Sequence, residues 1–179
     1  MIIGLCGRAG SGKSSVARFL VEKYKAKRVA FADPLKKIAM DLWGFSPEQV
    51  YGEADVKETV DPRWGISPRE AMQRLGQSAR DHLSNDIWCK YALDNLSEGR
   101  YVVDDVRYLN EAYEIASRGF LLRLHCTDSI SQDKGTHPSE AQVDLIPPGL
   151  VYAEIAGSRE EGLEDLFSKV DEAVRGLFS

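Results

Sequence analysis

The sequence has few cysteines and histidines, and neither residue type is spaced as in a metal site. Its 179 residues include three cysteines, Cys6, Cys89 and Cys126, which show none of the paired spacings that hold zinc. The odd number of cysteines, with Cys6 in an apolar run typical of a strand, favours reduced thiols. We therefore expect a cytoplasmic protein without a zinc site or a disulfide framework.

The sequence also lacks an excess of positive charge, a basic leader and a long apolar run. The net charge of -5 argues against a general nucleic-acid-binding protein, which is usually basic. The first residues have no basic segment typical of a secretory signal, and no apolar run is long enough to span a bilayer. We expect neither nucleic acid nor a membrane as a partner, whereas a phosphorylated small molecule stays compatible with a local pocket.

Strand-like and helix-like patterns alternate along the chain. The length suits a single α/β domain, and a hydrophobic content of 43% is ordinary for a globular protein. The alternation predicts a mostly parallel sheet of five strands with helices on both faces. The predicted strands are residues 2–6, 27–32, 101–103, 120–125 and 150–155. Because the carboxyl ends of parallel strands share one edge, we expect the ligand site there.

The most informative stretch is the amino-terminal MIIGLCGRAGSGKS, which ends at Ser14. An apolar run precedes G-x-x-x-x-G-K-S, the phosphate-binding loop, and a helical pattern follows it. The glycines let backbone N–H groups point at phosphate oxygens, while Lys13 would reach the β- and γ-phosphates and Ser14 would coordinate Mg²⁺. A chance match is disfavoured because strand, loop and helix come in the required order. We predict nucleoside triphosphate binding at Gly7, Ala9, Gly10, Ser11, Gly12, Lys13, Ser14 and Ser15.

Two acidic residues and an arginine follow the third predicted strand. A carboxylate of Asp104 or Asp105 would hold the Mg²⁺ shell, and only one of them should face the nucleotide because neighbours in a strand point to opposite sides. The alternative is an aspartate that caps a helix or turn. Arg107 could stabilise charge on a transferring phosphoryl group or bind the acceptor phosphate. Its alternative is an ion pair with a neighbouring aspartate.

A helix-rich segment lies between the second and third predicted strands. Near the junction of two of its helices, Arg80 could hold a substrate phosphate, and Asp86 lies close by in the sequence. Trp88 could pack against a base, although the protein core is the commoner place for a single tryptophan. Residues 51–66 are charged and interrupted by Gly and Pro, which predicts a loop or flap.

Several stretches together resemble the deoxynucleoside monophosphate kinases of bacteriophages. The phosphate loop alone is shared by many proteins, whereas its combination with FADPLK and DVRxxNE is more specific. The matching stretches are GRAGSGKSSVA at 7–17, FADPLK at 31–36, RLGQSARDHLSNDIW at 74–88, VVDDVRYLNEA at 102–112 and HPSE at 137–140. The resemblance implies a three-layer P-loop kinase fold. It also implies transfer of the γ-phosphoryl group of ATP to a deoxynucleoside 5′-monophosphate with Mg²⁺.

The resemblance further implies a role for individual positions. Lys13, Asp105 and Arg107 would be catalytic, with Ser14 and Asp105 on the metal side. The acceptor nucleotide would lie in a helical insert over about 34–98, and a short lid would cover about 126–140. Substrate-binding residues would be Asp33, Lys36, Arg80, Asp86, Trp88 and Arg107. The lid has no arginine before Glu140, so Arg123 or Arg107 would have to compensate. A homodimer is one assembly that we consider.

Two other functions stay open from the sequence. One is a P-loop kinase for another phosphorylated acceptor, such as phosphomevalonate or dephospho-coenzyme A. The other is a nucleotide-dependent switch or binding module without an acceptor pocket. The sequence lacks the guanine-reading N-K-x-D motif, which argues against a GTPase switch. Phosphorylation of deoxynucleoside monophosphates would distinguish a deoxynucleoside monophosphate kinase from both of these alternatives.

Overall fold

A computed structural model describes residues 1–127 and 142–178, and the chain divides into two compact units. The sheet unit comprises Met1–Ala30 and Leu96–Ser179, and the helical unit comprises Phe31–Asn95. The predicted acceptor-binding insert overlaps the helical unit, and its binding role stays a prediction. Among the described residues, no helix combines the length and the apolar character needed to cross a bilayer.

The sheet unit is built on five parallel strands in the order β2-β3-β1-β4-β5. Central strand β1 pairs with β3 on one side and β4 on the other, with Ile3 opposite Val102 and Phe120. The strands are β1 (Ile2–Cys6), β2 (Lys27–Val29), β3 (Tyr101–Val106), β4 (Phe120–Cys126) and β5 (Ala153–Gly157). The predicted five-stranded sheet is confirmed, and its carboxyl ends lie along one edge.

Helices cover both faces of this sheet. Buried side chains of α1 (Lys13–Tyr24) and α8 (Gly162–Val174) join Ile3 and Leu5 in one core. Ile115 of α7 (Leu109–Arg118) lies instead against Gly4. Because successive residues of a strand face opposite sides, α7 covers the other face. This three-layer arrangement confirms the predicted α/β fold class.

The helical unit is more ordered than the sequence indicated. Its helices are α2 (Asp33–Trp43), α3 (Pro47–Tyr51), α4 (Ala54–Glu58), α5 (Pro68–His82) and α6 (Ile87–Asp94). The expectation of a loop or flap over 51–66 is wrong in part, because α4 and an antiparallel bridge between Asp61 and Ile66 lie within it. Buried Asp61 accepts hydrogen bonds from Arg63 at 2.7 and 2.9 Å and from Gln49 at 3.2 Å. These side-chain contacts hold the segment in place. The sequence did not reveal them because they leave no periodic pattern of apolar residues.

Several predicted strand boundaries also need correction, including the end of β3, which lies at Val106 rather than at residue 103. Strand β5 begins at Ala153 rather than at residue 150, because a 3₁₀ turn occupies Pro148–Leu150. The N–H groups of Leu150 and Val151 bond to the carbonyls of Pro147 and Pro148, which continues the turn. Strand β2 ends at Val29 rather than at residue 32. The apolar composition of the sequence indicated that both strands exist. It did not indicate where β5 begins, because the hydrogen bonds of the preceding turn determine that boundary.

A buried carboxylate, Asp171, joins α8 to α1. It is bound by Lys23 Nζ at 2.6 Å, by the Tyr24 hydroxyl at 2.6 Å and by Arg175 Nη2 at 2.7 Å. The Lys23 ammonium, followed by Tyr24 and Arg175, holds the pKa of Asp171 well below its usual range. Burial, reinforced by the hydrogen bond to Asp171, raises the pKa of Tyr24 from 10.0 to about 12. The tyrosine contribution to stability is therefore lost as the pH rises between these two values.

Asp171→Asn is expected to lower the free energy of unfolding at pH 7 by about 2 kcal/mol, because hydrogen bonds to a buried charge are lost. Since folding lowers the pKa of this carboxyl, its contribution is present above about pH 4 and declines as the pH falls further. In urea unfolding, the difference from the wild type should narrow below about pH 4. Glu172→Gln, at an exposed neighbouring position, is the control. Equal stability of Asp171→Asn and the wild type at pH 7 would contradict the expectation.

Candidate nucleotide-binding site

The loop after β1 has a backbone that requires glycine at its two ends. Gly7 and Gly12 have φ values of 147° and 89°, in a region that other residues rarely adopt. A Cβ at Gly7 would lie 2.3 Å from the carbonyl oxygen of Leu124. A Cβ at Gly12 would lie 2.7 Å from Leu166 Cδ2. The glycines of the motif therefore allow the loop to pass closely over β4 and α8.

Lys13 and the start of α1 complete this loop. The Lys13 ammonium donates hydrogen bonds to the carbonyls of Gly7 at 2.7 Å and Arg8 at 2.8 Å, which holds the charge at the loop. Helix α1 begins without a side-chain cap and without an acidic residue in its first turn. The positive end of the helix is thus left for an anion. Backbone, helix and lysine together form a site suited to phosphate.

A cavity of about 220 Å³, here named the β4–β5 cavity, lies beside the loop. The loop contributes Gly10, Ser11 and Gly12 to its wall. The remaining wall comes from the ends of β4 and β5 and from the start of α8, and consists of His125, Cys126, Gly157, Ser158, Arg159, Gly162, Leu163 and Leu166. Sequence analysis missed these residues. For the residues after β4 and β5, the only signal was their position near predicted strand ends.

A second cavity of about 440 Å³, here named the β2–β3 cavity, lies on the other side of α1. Its wall consists of Ser14, Arg18, Val21, Glu22, Arg28 and Asp104. The Asp104 side chain is 6% exposed, and its Oδ2 accepts a hydrogen bond from Arg28 Nε at 2.8 Å. Its Oδ1 is buried without a hydrogen-bond partner. A buried unsatisfied carboxylate oxygen in the same cavity as Ser14 fits a cation with a water shell.

The β2–β3 cavity and the register of β3 distinguish the two aspartates. Val102 packs into the core beneath α1, and Asp104 lines the β2–β3 cavity together with Ser14 of α1. The register of β3 against β1 shifts between Val103 and Val106, so strict alternation does not continue through Asp104 and Asp105. Asp105 is half-buried and is not among the residues that line the β2–β3 cavity. The metal-side role of Asp105 stays a prediction, and Asp104 has the geometry for it. Residues 1–127 and 142–178 contain no cluster of three His, Cys, Asp or Glu poised for a metal.

Arg107 lies directly after β3 in a connection that Glu111 holds. Strand β3 ends at Val106, which is in register with Cys6, the last residue of β1. Arg107 therefore leaves the sheet beside the phosphate loop. Glu111 Oε2 accepts hydrogen bonds from the backbone N–H groups of Arg107 at 2.8 Å and Tyr108 at 3.0 Å. Sequence analysis quoted this glutamate within a motif without giving it a role.

Apart from Arg107, the predicted acceptor residues lie in the helical unit. Lys36 Nζ is 3.3 Å from Asp33 Oδ1 and 4.6 Å from the centre of the Tyr51 ring. Directly before α6, Asp86 Oδ2 lies 3.8 Å from Nζ of Lys90, which is in that helix. The structure thus brings Asp33 and Lys36 together at the start of α2, and their binding role stays a prediction.

Trp88 and Arg80 both lie next to Gly76 of α5. The Trp88 side chain is buried and its Nε1 donates a hydrogen bond to the Gly76 carbonyl at 3.1 Å. A Cβ at Gly76 would lie 3.5 Å from Arg80 Nη1. A buried indole with a satisfied N–H matches the alternative that places Trp88 in the core. Whether it also shapes an acceptor pocket stays a prediction.

Most of the predicted lid over 126–140 lies outside the described residues, which include only Cys126 and Thr127 of that range. The HPSE stretch at 137–140 lies outside them as well. Arg123, considered above as a substitute for a lid arginine, is only 13% exposed and donates a hydrogen bond to Glu154 at 3.0 Å. Its guanidinium also donates to the carbonyl of Ile146. Arg123 therefore holds β4 to its neighbours.

Comparison with known proteins identifies the family. A protein of Acanthamoeba polyphaga mimivirus that is named as a deoxynucleotide monophosphate kinase is 33% identical to this chain over 190 residues. The match covers 97% of each chain. The chain belongs to the deoxynucleotide monophosphate kinase family. The deoxynucleoside-5′-monophosphate kinase of Escherichia phage T5 is 29% identical over 119 residues, or 62% of this chain and 43% of that protein. No protein-family model matches the chain.

A solved structure supports the fold of this kinase. The dephospho-CoA kinase of Campylobacter jejuni superposes with a TM-score of 0.51 and 11% identity, over 98% of this chain and 96% of that one. At this identity the likeness is one of fold alone. The resemblance to deoxynucleoside monophosphate kinases predicted from the sequence is confirmed, and membership of the family makes the protein a phosphotransferase.

Proposed function

We propose that this kinase transfers the γ-phosphoryl group of ATP to a deoxynucleoside 5′-monophosphate, giving ADP and a deoxynucleoside diphosphate. The observation that carries the proposal is the loop between Gly7 and Ser14, with Lys13 held over it and an uncapped helix behind it. The family of the chain and the names of its relatives support the same reaction.

ATP would use the loop for its phosphates and the β4–β5 cavity for its base. Leu163 and Leu166 give that cavity an apolar side, and Arg159 supplies a planar cation. A Cβ at Gly10 would lie 3.9 Å from Arg159 Nη2, so the guanidinium approaches the loop closely. A guanidinium can stack on an aromatic base plane, which would hold adenine next to its own phosphates.

Arg159→Ala is expected to raise the KM for ATP by about tenfold, because one desolvated cation–π contact is lost. The KM for the monophosphate should change by less than about twofold, because Arg159 serves the donor in this scheme. Arg118→Ala, which removes a surface arginine paired with Glu114, is the matched control. Steady-state kinetics with each substrate varied in turn would test this. A change confined to the KM for the monophosphate would contradict this assignment, because Arg159 would then bind the acceptor rather than ATP.

The residues around the β2–β3 cavity fit Mg²⁺. Asp104 offers a buried oxygen without a partner, and Ser14 offers a hydroxyl in the same cavity. Bound by these residues and the β- and γ-phosphates, Mg²⁺ would neutralise charge on the nucleotide. Asp105, which the family resemblance favoured for this role, is the alternative carboxylate.

The charged side chains of the protein would act mainly by lying where negative charge develops in the transition state. The transition state of phosphoryl transfer is loose and spreads negative charge over the equatorial oxygens. Lys13 and Arg107 would stabilise this charge, and the acceptor phosphate is already an anion, so no strong general base is required. Lys36 and Arg80 of the helical unit are the cations that we assign to the acceptor. Asp33 pairs with Lys36, and Trp88 and Arg80 both lie next to Gly76. Asp86 stays a further candidate for the same pocket.

An acceptor panel tests the proposed function. ADP release would be measured with each common deoxynucleoside and ribonucleoside monophosphate, with dephospho-coenzyme A and with phosphomevalonate. We expect turnover with at least one deoxynucleoside monophosphate. Turnover with none of them would contradict the proposal, and turnover with only dephospho-coenzyme A or phosphomevalonate would support the other kinase class.

Thermal-shift titration separates a kinase from a binding module. A kinase with two substrate sites should be stabilised by an ATP analogue and stabilised further when a deoxynucleoside monophosphate is added. A binding module without an acceptor pocket should respond to the analogue alone. The second shift therefore decides between these functions without relying on turnover.

A further inference from the structure

Glu111 is a buried carboxylate that the proposed reaction does not use directly. It lies in the first turn of α7 and is only 3% exposed. One of its oxygens, Oε2, accepts hydrogen bonds from the N–H groups of both Arg107 and Tyr108. These two residues form the whole connection between β3 and α7. A single side chain therefore holds both backbone N–H groups of the connection that carries Arg107.

The connection is fixed at its other end by the sheet. Val106 is in register with Cys6 across the β1–β3 pair, so the chain enters the connection next to the first residue of the phosphate loop. Beyond Tyr108, α7 begins at Leu109, and Ile115 on that helix is fully buried against the sheet. With β3 and α7 both packed, the remaining backbone freedom near Arg107 lies in the two peptides that Glu111 binds.

We propose that Glu111 is a positioning residue, whose carboxylate fixes the backbone at Arg107 so that the arginine side chain is directed to the phosphoryl-transfer site. This inference rests on the proposed function. Hydrogen bonds to a charged acceptor are stronger than neutral ones, and burial protects them from competing water. Because catalysis by position is sensitive to displacements of about 1 Å, releasing this backbone should reduce turnover more than substrate binding.

A double-mutant cycle distinguishes positioning from simple helix capping. Glu111→Ala is expected to lower kcat by about tenfold or more, with the KM for ATP unchanged within about twofold. Glu111→Gln, which keeps an amide oxygen as acceptor, should recover most of the loss. In the Arg107→Ala background, Glu111→Ala should have little further effect, because the two residues act as one unit. Glu114→Ala, on the same helix and paired with Arg118, is the control.

Additive losses in the cycle would overturn the inference, because Glu111 would then act independently of Arg107. If Glu111→Ala does not fold, Glu111→Met takes its place, since it keeps the side-chain volume and removes both acceptor oxygens. A wild type that phosphorylates no deoxynucleoside monophosphate would contradict the proposed function itself. That result differs from an active wild type with additive variants, which overturns only the role of Glu111.

Hydrogen exchange supplies a readout that does not depend on turnover. In Glu111→Ala, the amides of Arg107 and Tyr108 should exchange faster, whereas those of Val102 and Val103 in β3 should keep their protection. Unchanged exchange at Arg107 and Tyr108 would overturn the inference. Faster exchange throughout β3 would also overturn it, because Glu111 would then support the sheet unit as a whole.

Discussion

Lys13→Ala is expected to lower kcat by about 100-fold or more, the largest effect of any single substitution that we propose. The Lys13 ammonium lies at 2.7 and 2.8 Å from the carbonyls of Gly7 and Arg8, where the loop would bind the phosphates. Its charge is needed most when negative charge spreads over the transferring group. Coupled measurement of ADP release at saturating substrates would give kcat directly.

Lys37→Ala is the matched control for this substitution, because it removes an exposed lysine from α2 of the helical unit. The melting temperatures of both variants should be close to that of the wild type, which shows that any loss reflects chemistry rather than unfolding. Near-normal turnover of Lys13→Ala would exclude the loop as the site of phosphoryl transfer.

Asp104→Asn is expected to lower kcat/KM for ATP by about 10- to 100-fold and to raise the Mg²⁺ concentration required for half-maximal activity. The reason is its buried Oδ1, which has no partner and shares the β2–β3 cavity with Ser14. Asp105→Asn should have a smaller effect, since Asp105 is not among the residues that line this cavity. Titration of activity with Mg²⁺ at fixed ATP would compare the two variants.

Arg28→Ala controls for the ion pair that Arg28 makes with Asp104 at 2.8 Å. If Asp104 acted only through this pair, Arg28→Ala would reproduce the whole effect of Asp104→Asn. If Asp105→Asn required a higher Mg²⁺ concentration for half-maximal activity than Asp104→Asn, Asp105 rather than Asp104 would be the carboxylate on the metal side. The two aspartates thus form a matched pair of variants that differ in position and not in chemistry.

The phosphate loop was predictable because its chemistry is local in the sequence. Glycines at Gly7 and Gly12 are required by backbone contacts with Leu124 and Leu166, and the same spacing is what the motif detects. The helix that begins at Pro68 was also predictable, because a serine followed three residues later by a glutamate, here Ser67 and Glu70, is typical of a helix start. In the structure Ser67 accepts a hydrogen bond from the N–H group of Glu70 at 3.2 Å. Short-range hydrogen bonds and dihedral angles leave clear signals in the order of residues.

Other features depend on tertiary contacts and could not be predicted. The β4–β5 cavity combines Gly10 with Arg159, which are brought together only by the order of the strands. The choice between Asp104 and Asp105 depends on the register shift between β1 and β3, which the order of residues does not reveal. Glu111 escaped notice because the residue three positions before it, Tyr108, is not one of the small polar residues that mark a capping box.

The fate of the γ-phosphoryl group is the most direct test of the central claim that this loop serves a deoxynucleoside monophosphate kinase. The wild type would be incubated with Mg²⁺, a deoxynucleoside monophosphate and ATP labelled at the γ-phosphate. We predict that the label appears in the deoxynucleoside diphosphate, in equal amount to ADP, and that Lys13→Ala forms little of it. Label found only in inorganic phosphate, or left in ATP with every deoxynucleoside monophosphate, would contradict the claim.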